Sequence, residues 1–120
     1  MTRIKSHRDL IAWQKAIELV TGCYQSTKAF PADERYGLTQ QMRRAAVSVA
    51  ANIAEGKGRG TTKELVRFLT IANGSLTELD THCVIAKELG FINEKTLNEV
   101  VGQIEEVGRI ITGLRKSLDR

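Results

Sequence analysis

The spacing of the last apolar residues constrains this chain more than any other feature. Leu97, Val100, Ile104, Val107, Ile111, Leu114 and Leu118 follow one another at alternating steps of three and four. A 3.6-residue turn gathers such positions onto one stripe of a helix, whereas a strand would send them to both of its faces. Held over three heptads, the pattern predicts a long amphipathic helix over 94–118, with Asn93 as its cap. A helix of this kind is stable only with its apolar stripe covered, so the rest of the chain must supply partners.

Three further helices are legible. Leu10, Trp13, Ile17, Val20 and Tyr24, widened by Ala16 and Cys23, predict a helix over 9–27, and Ser6 and Asp9 before it have capping-box spacing. Phe30-Pro31 makes a turn, because proline holds the preceding residue extended. Asp33 and Glu34 open a second helix over 33–55, with Leu38, Met42, Ala45, Val49 and Ile53 as its core stripe and Gly56 as its stop. Thr61 and Glu64 open a third over 62–89, carrying Leu65, Phe68, Leu69, Ala72, Leu76, Leu79, Cys83 and Ala86. Gly74 lies in the middle of that helix, where glycine is unfavourable unless another backbone comes close, so a close contact is expected there.

Short connections between amphipathic helices make antiparallel neighbours, and the expected fold is an all-α, up-down-up-down four-helix bundle spanning 1–120 as one domain. A chain of 120 residues with a single proline and 42% apolar residues suits one domain and is too short for two. The second helix has an extra feature. Tyr36, Val47, Ala50, Ala51 and Ala54 fall on another apolar strip, roughly 120° or more from the first, with Gln41, Arg44, Ser48, Asn52 and Glu55 as a polar stripe between them. Two apolar faces on one helix imply two neighbours.

Charge is uneven along the chain. Residues 1–60 hold ten Lys and Arg against five Asp and Glu, while 61–120 hold eight against nine, so the net +4 belongs to the first half. Such a field draws phosphate backbones or acidic proteins without naming a partner. The sequence around Met1–Asp9 has no apolar core of a secretory signal, and no stretch is long and apolar enough to span a bilayer, so a cytoplasmic protein with no membrane role is expected. Cys23 and Cys83 stand alone, without metal-ligand spacing, and read as buried reduced thiols.

Candidate chemistry is sparse. Glu78 and His82 share a helix face, but two histidines in the whole chain cannot build a two-metal carboxylate site, and a surface or interface histidine is the expected role. No nucleophile triad is indicated, so neither catalytic residues, metal nor cofactor are expected. Gly56-Lys57-Gly58-Arg59-Gly60 leads into a helix N-terminus, with Lys57, Arg59, Lys63 and Arg67 around it. Two readings stand side by side: a flexible connection with solvated charges, and a phosphate or nucleic-acid contact on free backbone amides. Folding the second and third helices back about residues 58–59 sets Arg43 and Arg44 opposite Asn73-Gly74-Ser75, one turn from Glu78. A structural role is expected for Arg43, Arg44, Ser48, Asn52 and Glu78, with the arginines pairing with Glu78 or bonding to the third helix.

Phe30-Pro31, Glu34, Gly37-Leu38, Gln41, Arg43-Arg44-Ala45, Ser48-Val49, Asn52-Ile53-Ala54-Glu55-Gly56, Ile71-Ala72, Gly74-Ser75 and Glu78-Leu79 resemble the four-helix bundle protein family. That family includes proteins encoded in bacterial 23S rRNA intervening sequences and, more distantly, the accessory variability determinant of diversity-generating retroelements. The resemblance runs from Leu10 to the end of the fourth helix; His7 stands where the family often has an aromatic residue. It implies an antiparallel bundle assembling as a ring-shaped homopentamer without known enzymatic activity, and in its retroelement branch a basic surface that binds nucleic acid and a reverse transcriptase. Joined to the residue-level reading, it places Tyr36, Val47, Ala50, Ala51 and Ala54 between subunits. The expected function is a non-enzymatic oligomeric binding module that contacts nucleic acid or a nucleic-acid enzyme, the alternative being a protein-binding scaffold or structural assembly factor.

Overall fold

The computed structural model describes residues 5–119; the sequence of the first four residues, which enters the N-terminal reading above, lies outside them. Four helices form the molecule: α1 (Ile11–Thr27), α2 (Leu38–Gly58), α3 (Thr62–Glu88) and α4 (Glu94–Leu118), with no strand among the described residues. Each helix packs on its neighbours in sequence, α1 also closes against α4, and the diagonal pairs stay apart. The result is an antiparallel four-helix bundle with extents of 45 × 24 × 21 Å.

The helix ends follow from local chemistry. Ser6 and Asp9 do form a capping box, but on a short 3-10 turn (His7–Asp9), and α1 starts only at Ile11. The His7 ring meets Trp13 edge-on at 5.1 Å. Thr61 Oγ1 accepts from the Glu64 amide and Asn93 Oδ1 from the Thr96 amide, capping α3 and α4. After α3 the amides of Gly90 and Phe91 donate to the carbonyls of Lys87 and Ala86, a paired closure that requires the left-handed φ of +78° at Gly90. Phe91 then meets Phe30 at 5.4 Å, tying the α3–α4 and α1–α2 connections together at one end of the bundle.

The core stripes of α2 and α3 are buried as the spacing predicts, and α4 buries Val100, Ile104, Val107 and Ile111. The face of α1 differs. Its buried residues are Ala12, Ala16, Leu19, Cys23 and Thr27, while Ile17 and Tyr24 are exposed and Trp13 and Val20 are half-buried. Both stripes have helical spacing, and the bulkier one drew the sequence reading. Small residues in the centre let α1 lie close to its neighbours, which pushes the bulky side chains to the flanks.

Three expectations about α2 and α3 are corrected. Residues Ala32–Glu34 form a 3-10 turn of their own, and Glu34 Oε1 accepts from the Leu38 amide, so α2 begins at Leu38 and not at 33. Gly56 does not stop α2, which continues to Gly58; the turn is made at Gly60, with φ +86°. The close contact expected at Gly74 occurs at Gly56 instead. A Cβ at Gly56 would lie 2.6 Å from Phe68 Cβ, whereas one at Gly74 would meet nothing within 4 Å. The helices cross tightly next to their connection, where any side chain at 56 would force them apart.

Candidate functional site

The end of α1, the connection through residues 28–36 and the first half of α2 enclose an open cleft of about 820 Å³. Lys28, Arg35, Arg43 and Arg44 line it together with Tyr24 and Tyr36, and no carboxylate contributes to the lining. None of these four cations has a carboxylate within ion-pair distance among the described residues. Glu34 is nearby in sequence, but its carboxylate is spent on the start of α2. A concave wall carrying one sign of charge focuses the field and raises the local concentration of anions.

Arg43 is the best-fixed of the four. Thr27, fully buried at the end of α1, donates its hydroxyl to the Cys23 carbonyl at 2.9 Å and accepts from Arg43 Nε at 2.8 Å. The guanidinium carbon lies 4.5 Å from the centre of the Tyr24 ring. One N–H and one face of the guanidinium are therefore committed, while its terminal nitrogens have no protein acceptor among the described residues. That is the state of an arginine ready to take a planar or tetrahedral oxyanion. Tyr36, at 80% exposure, stands on the rim of the cleft.

Arg43 therefore turns to α1 and not to Glu78, contrary to expectation. The cause is register. Ser48 faces Ser75 with hydroxyls 2.9 Å apart, so Arg44 stands level with Glu78 and not with Asn73-Gly74-Ser75. Gln41, Arg44, Ala45, Ser48 and Glu78 surround a hollow between α2 and α3, in which Arg44 and Glu78 face each other beyond ion-pair distance. Below it Asn52 Nδ2 donates to both the Ser48 carbonyl and the Ser48 hydroxyl, at 2.8 and 2.9 Å. His82 is buried rather than on the surface; its Nε2 is 3.8 Å from Glu78 Oε2 and its Nδ1 has no partner.

The group Lys57, Arg59, Lys63 and Arg67 is arranged differently. Residues 56–58 are helical, and the amides of Arg59 and Gly60 donate to the carbonyls of Glu55 and Lys57, so the glycines provide no loop of free amides. Arg59 pairs with Glu55 at 2.7 Å and Arg67 with Glu64 at 3.2 Å, and both guanidinium groups lie against the Phe68 ring. The two arginines pack the α2–α3 corner, and among the described residues Lys57 and Lys63 have no carboxylate within ion-pair distance.

Of the expected interface strip, Tyr36, Val47 and Ala51 are exposed and Ala54 is half-buried, but Ala50 is covered by the chain's own helices. Tyr36 and Val47 also border the cleft. Lys28, Arg35 and Tyr24 belong to the site but are not singled out by the sequence pattern. The available signal was the clustering of first-half cations around 28–44, flanked by two tyrosines, and assigning Tyr24 to the core stripe of α1 hid it.

Both cysteines are free and buried. Burial pushes the Cys23 thiol up to about 11 and the Cys83 thiol, which also has Cys23 and Asp80 nearby, up to about 12. They are protonated and unreactive at neutral pH. Among the described residues no group of three His, Cys, Asp or Glu side chains is placed to hold a metal ion, and no helix is long and apolar enough to cross a membrane.

Comparison with known proteins bears on the same elements. The family model described as 23S rRNA-intervening sequence protein matches residues 8–113. A solved structure of a protein with unknown function from the S23 ribosomal protein family of Bacteroides thetaiotaomicron is similar, with a TM-score of 0.78 and 16% identity, covering 88% of this chain and 99% of that one. At that identity the likeness concerns the fold. No protein with a curated description matches.

Proposed function

This chain belongs to the 23S rRNA-intervening sequence protein family, and from that premise we propose that it is a non-catalytic, oligomeric module that binds nucleic acid through the basic cleft between α1 and α2. The carrying observation is the cleft wall, with Lys28, Arg35, Arg43 and Arg44 gathered on it and no carboxylate among them. Phosphate contacts of this kind supply sequence-independent affinity by releasing counterions. Val47, Ala51 and Ala54 on the outer side of α2 give small apolar residues on which a second copy can pack closely, and a repeated heterologous contact closes a ring. A ring would multiply one modest cleft into several linked sites and raise avidity without new contacts.

A protein-binding scaffold is the second reading. Ile71, Val84, Ile85 and Leu89 on and beside α3 are exposed apolar side chains that suit a protein partner. Salt separates the two. Binding to a mixed pool of RNA and DNA that falls steeply as salt rises fits phosphate contacts in the cleft; no binding at low salt removes the nucleic-acid reading and leaves the scaffold.

A further inference from the structure

The cleft is more than a patch of positive charge, because two tyrosines line it with the four cations and one of those cations is held in place. Tyr24 carries the guanidinium of Arg43 on its ring, with the carbon 4.5 Å from the ring centre. Buried Thr27 holds the same arginine by Nε, which sets the direction in which its terminal nitrogens point. Tyr36, contributed by the 28–36 connection, also lines the cleft, with four-fifths of its surface in solvent. The cleft is open and about 820 Å³ in volume. It is a hollow with room for flat rings as well as for phosphates.

A duplex would use the charges alone. Its bases are stacked and paired, so their faces cannot reach a tyrosine. An unpaired strand offers both parts at once: phosphates for the guanidinium groups and an exposed base face for a ring. Resting on the nucleic-acid reading above, we infer that the α1–α2 cleft is a binding site for an unpaired nucleic-acid strand, with a base stacked on Tyr36 and the adjoining phosphates held by Arg43 and Arg44. Arg43 is the positioned anchor. Arg44, exposed between the cleft and the α2–α3 hollow, follows the backbone as it leaves the cleft. Stacking tolerates any base, so little sequence preference is expected at this site.

The test compares fluorescein-labelled oligouridylate, oligodeoxyuridylate and a blunt RNA duplex by fluorescence anisotropy, with the full chain. Both single strands should bind more tightly than the duplex; a preference between the two reports a contact to the 2′-hydroxyl. Tyr36→Leu should weaken single-strand binding by about tenfold while leaving duplex binding unchanged, and Tyr36→Phe should restore it. Arg43→Gln should flatten the dependence of log affinity on log salt by about 0.7, the value for one phosphate contact to a single strand. Equal affinity for strand and duplex, with Tyr36→Leu silent, overturns the inference and leaves nucleic-acid binding standing. No binding to any of the three at low salt removes both. A Tyr36→Leu variant whose mass by light scattering changes, with its circular dichroism intact, makes Tyr36 a subunit contact and also overturns the inference. Since Tyr36 is largely in solvent, the fold itself is not at risk in the Tyr36 variants, and circular dichroism checks it for Arg43→Gln, whose side chain holds the buried Thr27.

Discussion

Ser48 and Ser75 meet through their hydroxyl groups at 2.9 Å across the α2–α3 interface, and this contact fixes which residues of the two helices stand level. Asn52 supports Ser48 from below through its side-chain amide, at 2.9 Å from the same hydroxyl. With Ser75 truncated to alanine, Ser48 retains the Asn52 contact, so only one half-buried hydrogen bond is lost. Ser75→Ala should lower stability by about 1 kcal/mol. Asn52→Leu, which removes two bonds and leaves Ser48 dependent on Ser75, should cost more. Urea midpoints at unchanged m-value check the order.

The glycines of α2 and α3 should respond in opposite directions. At Gly56 an added Cβ would stand 2.6 Å from Phe68 Cβ and 3.3 Å from the Leu65 Cα, and the backbone of α3 cannot yield as a side-chain tip could. Gly56→Ala should destabilise by about 1–3 kcal/mol. At Gly74 the same atom meets nothing within 4 Å in the single chain, so Gly74→Ala should stabilise by about 0.5–1 kcal/mol through helix propensity. Thermal unfolding of both variants gives the signs. A destabilised Gly74→Ala would mean that another copy of the chain lies against that helix.

How much of this was legible in the sequence depended on what each residue is asked to do. The stripes of α2, α3 and α4 repeat large apolar residues at helical spacing and could be read directly. In α1 two stripes compete, and only the packed bundle shows that Ala12 and Leu19 face inward with Ala16 and Cys23 while Ile17 and Tyr24 do not. The turn between α2 and α3 lies four residues beyond the Gly56 stop assigned from sequence, since Gly56 serves helix crossing and Gly60 serves the turn. That displacement put Arg43 and Arg44 opposite the wrong part of α3. The cleft was beyond reach for another reason: it depends on Thr27 and Arg43, sixteen residues apart, meeting across two helices. Charge counts located the cations in the first half of the chain but not the wall on which they gather.

The thiols supply a pH dependence. In the unfolded chain they ionise near 9.0, whereas in the fold burial holds Cys23 to about 11 and Cys83 to about 12. Between those limits the folded chain keeps protons that the unfolded chain releases, so stability is complete below 9.0 and declines as pH rises from there toward 11 and 12. Each thiol adds a slope of about 1.4 kcal/mol per pH unit at most. A Cys23→Ala, Cys83→Ala double variant, though less stable throughout, should show a flatter alkaline decline in urea titrations than the natural chain. In the natural chain iodoacetamide should label neither thiol at neutral pH and both once urea unfolds it. Rapid labelling of the folded chain would contradict the buried placement.

Ala51 tests the assembly, because it is the small residue on the outer side of α2 that the chain's own core does not use. Glutamate is a good helix former, so Ala51→Glu should leave the secondary structure and the single-chain core intact. In a contact between copies built on Val47, Ala51 and Ala54 the same carboxylate would be desolvated among apolar atoms without a partner, at a cost of several kcal/mol for each repeat of the contact. The natural chain should therefore scatter light as a multiple of 13.3 kDa and the variant as 13.3 kDa, with unchanged circular dichroism. Ala50→Glu provides the contrast: Ala50 is buried within the chain, so that variant should lose the fold itself rather than the assembly alone. If Ala51→Glu keeps the natural mass, the outer side of α2 is free of subunit contacts, and the copies are joined elsewhere, with the exposed Ile85 and Leu89 as the next apolar positions to substitute.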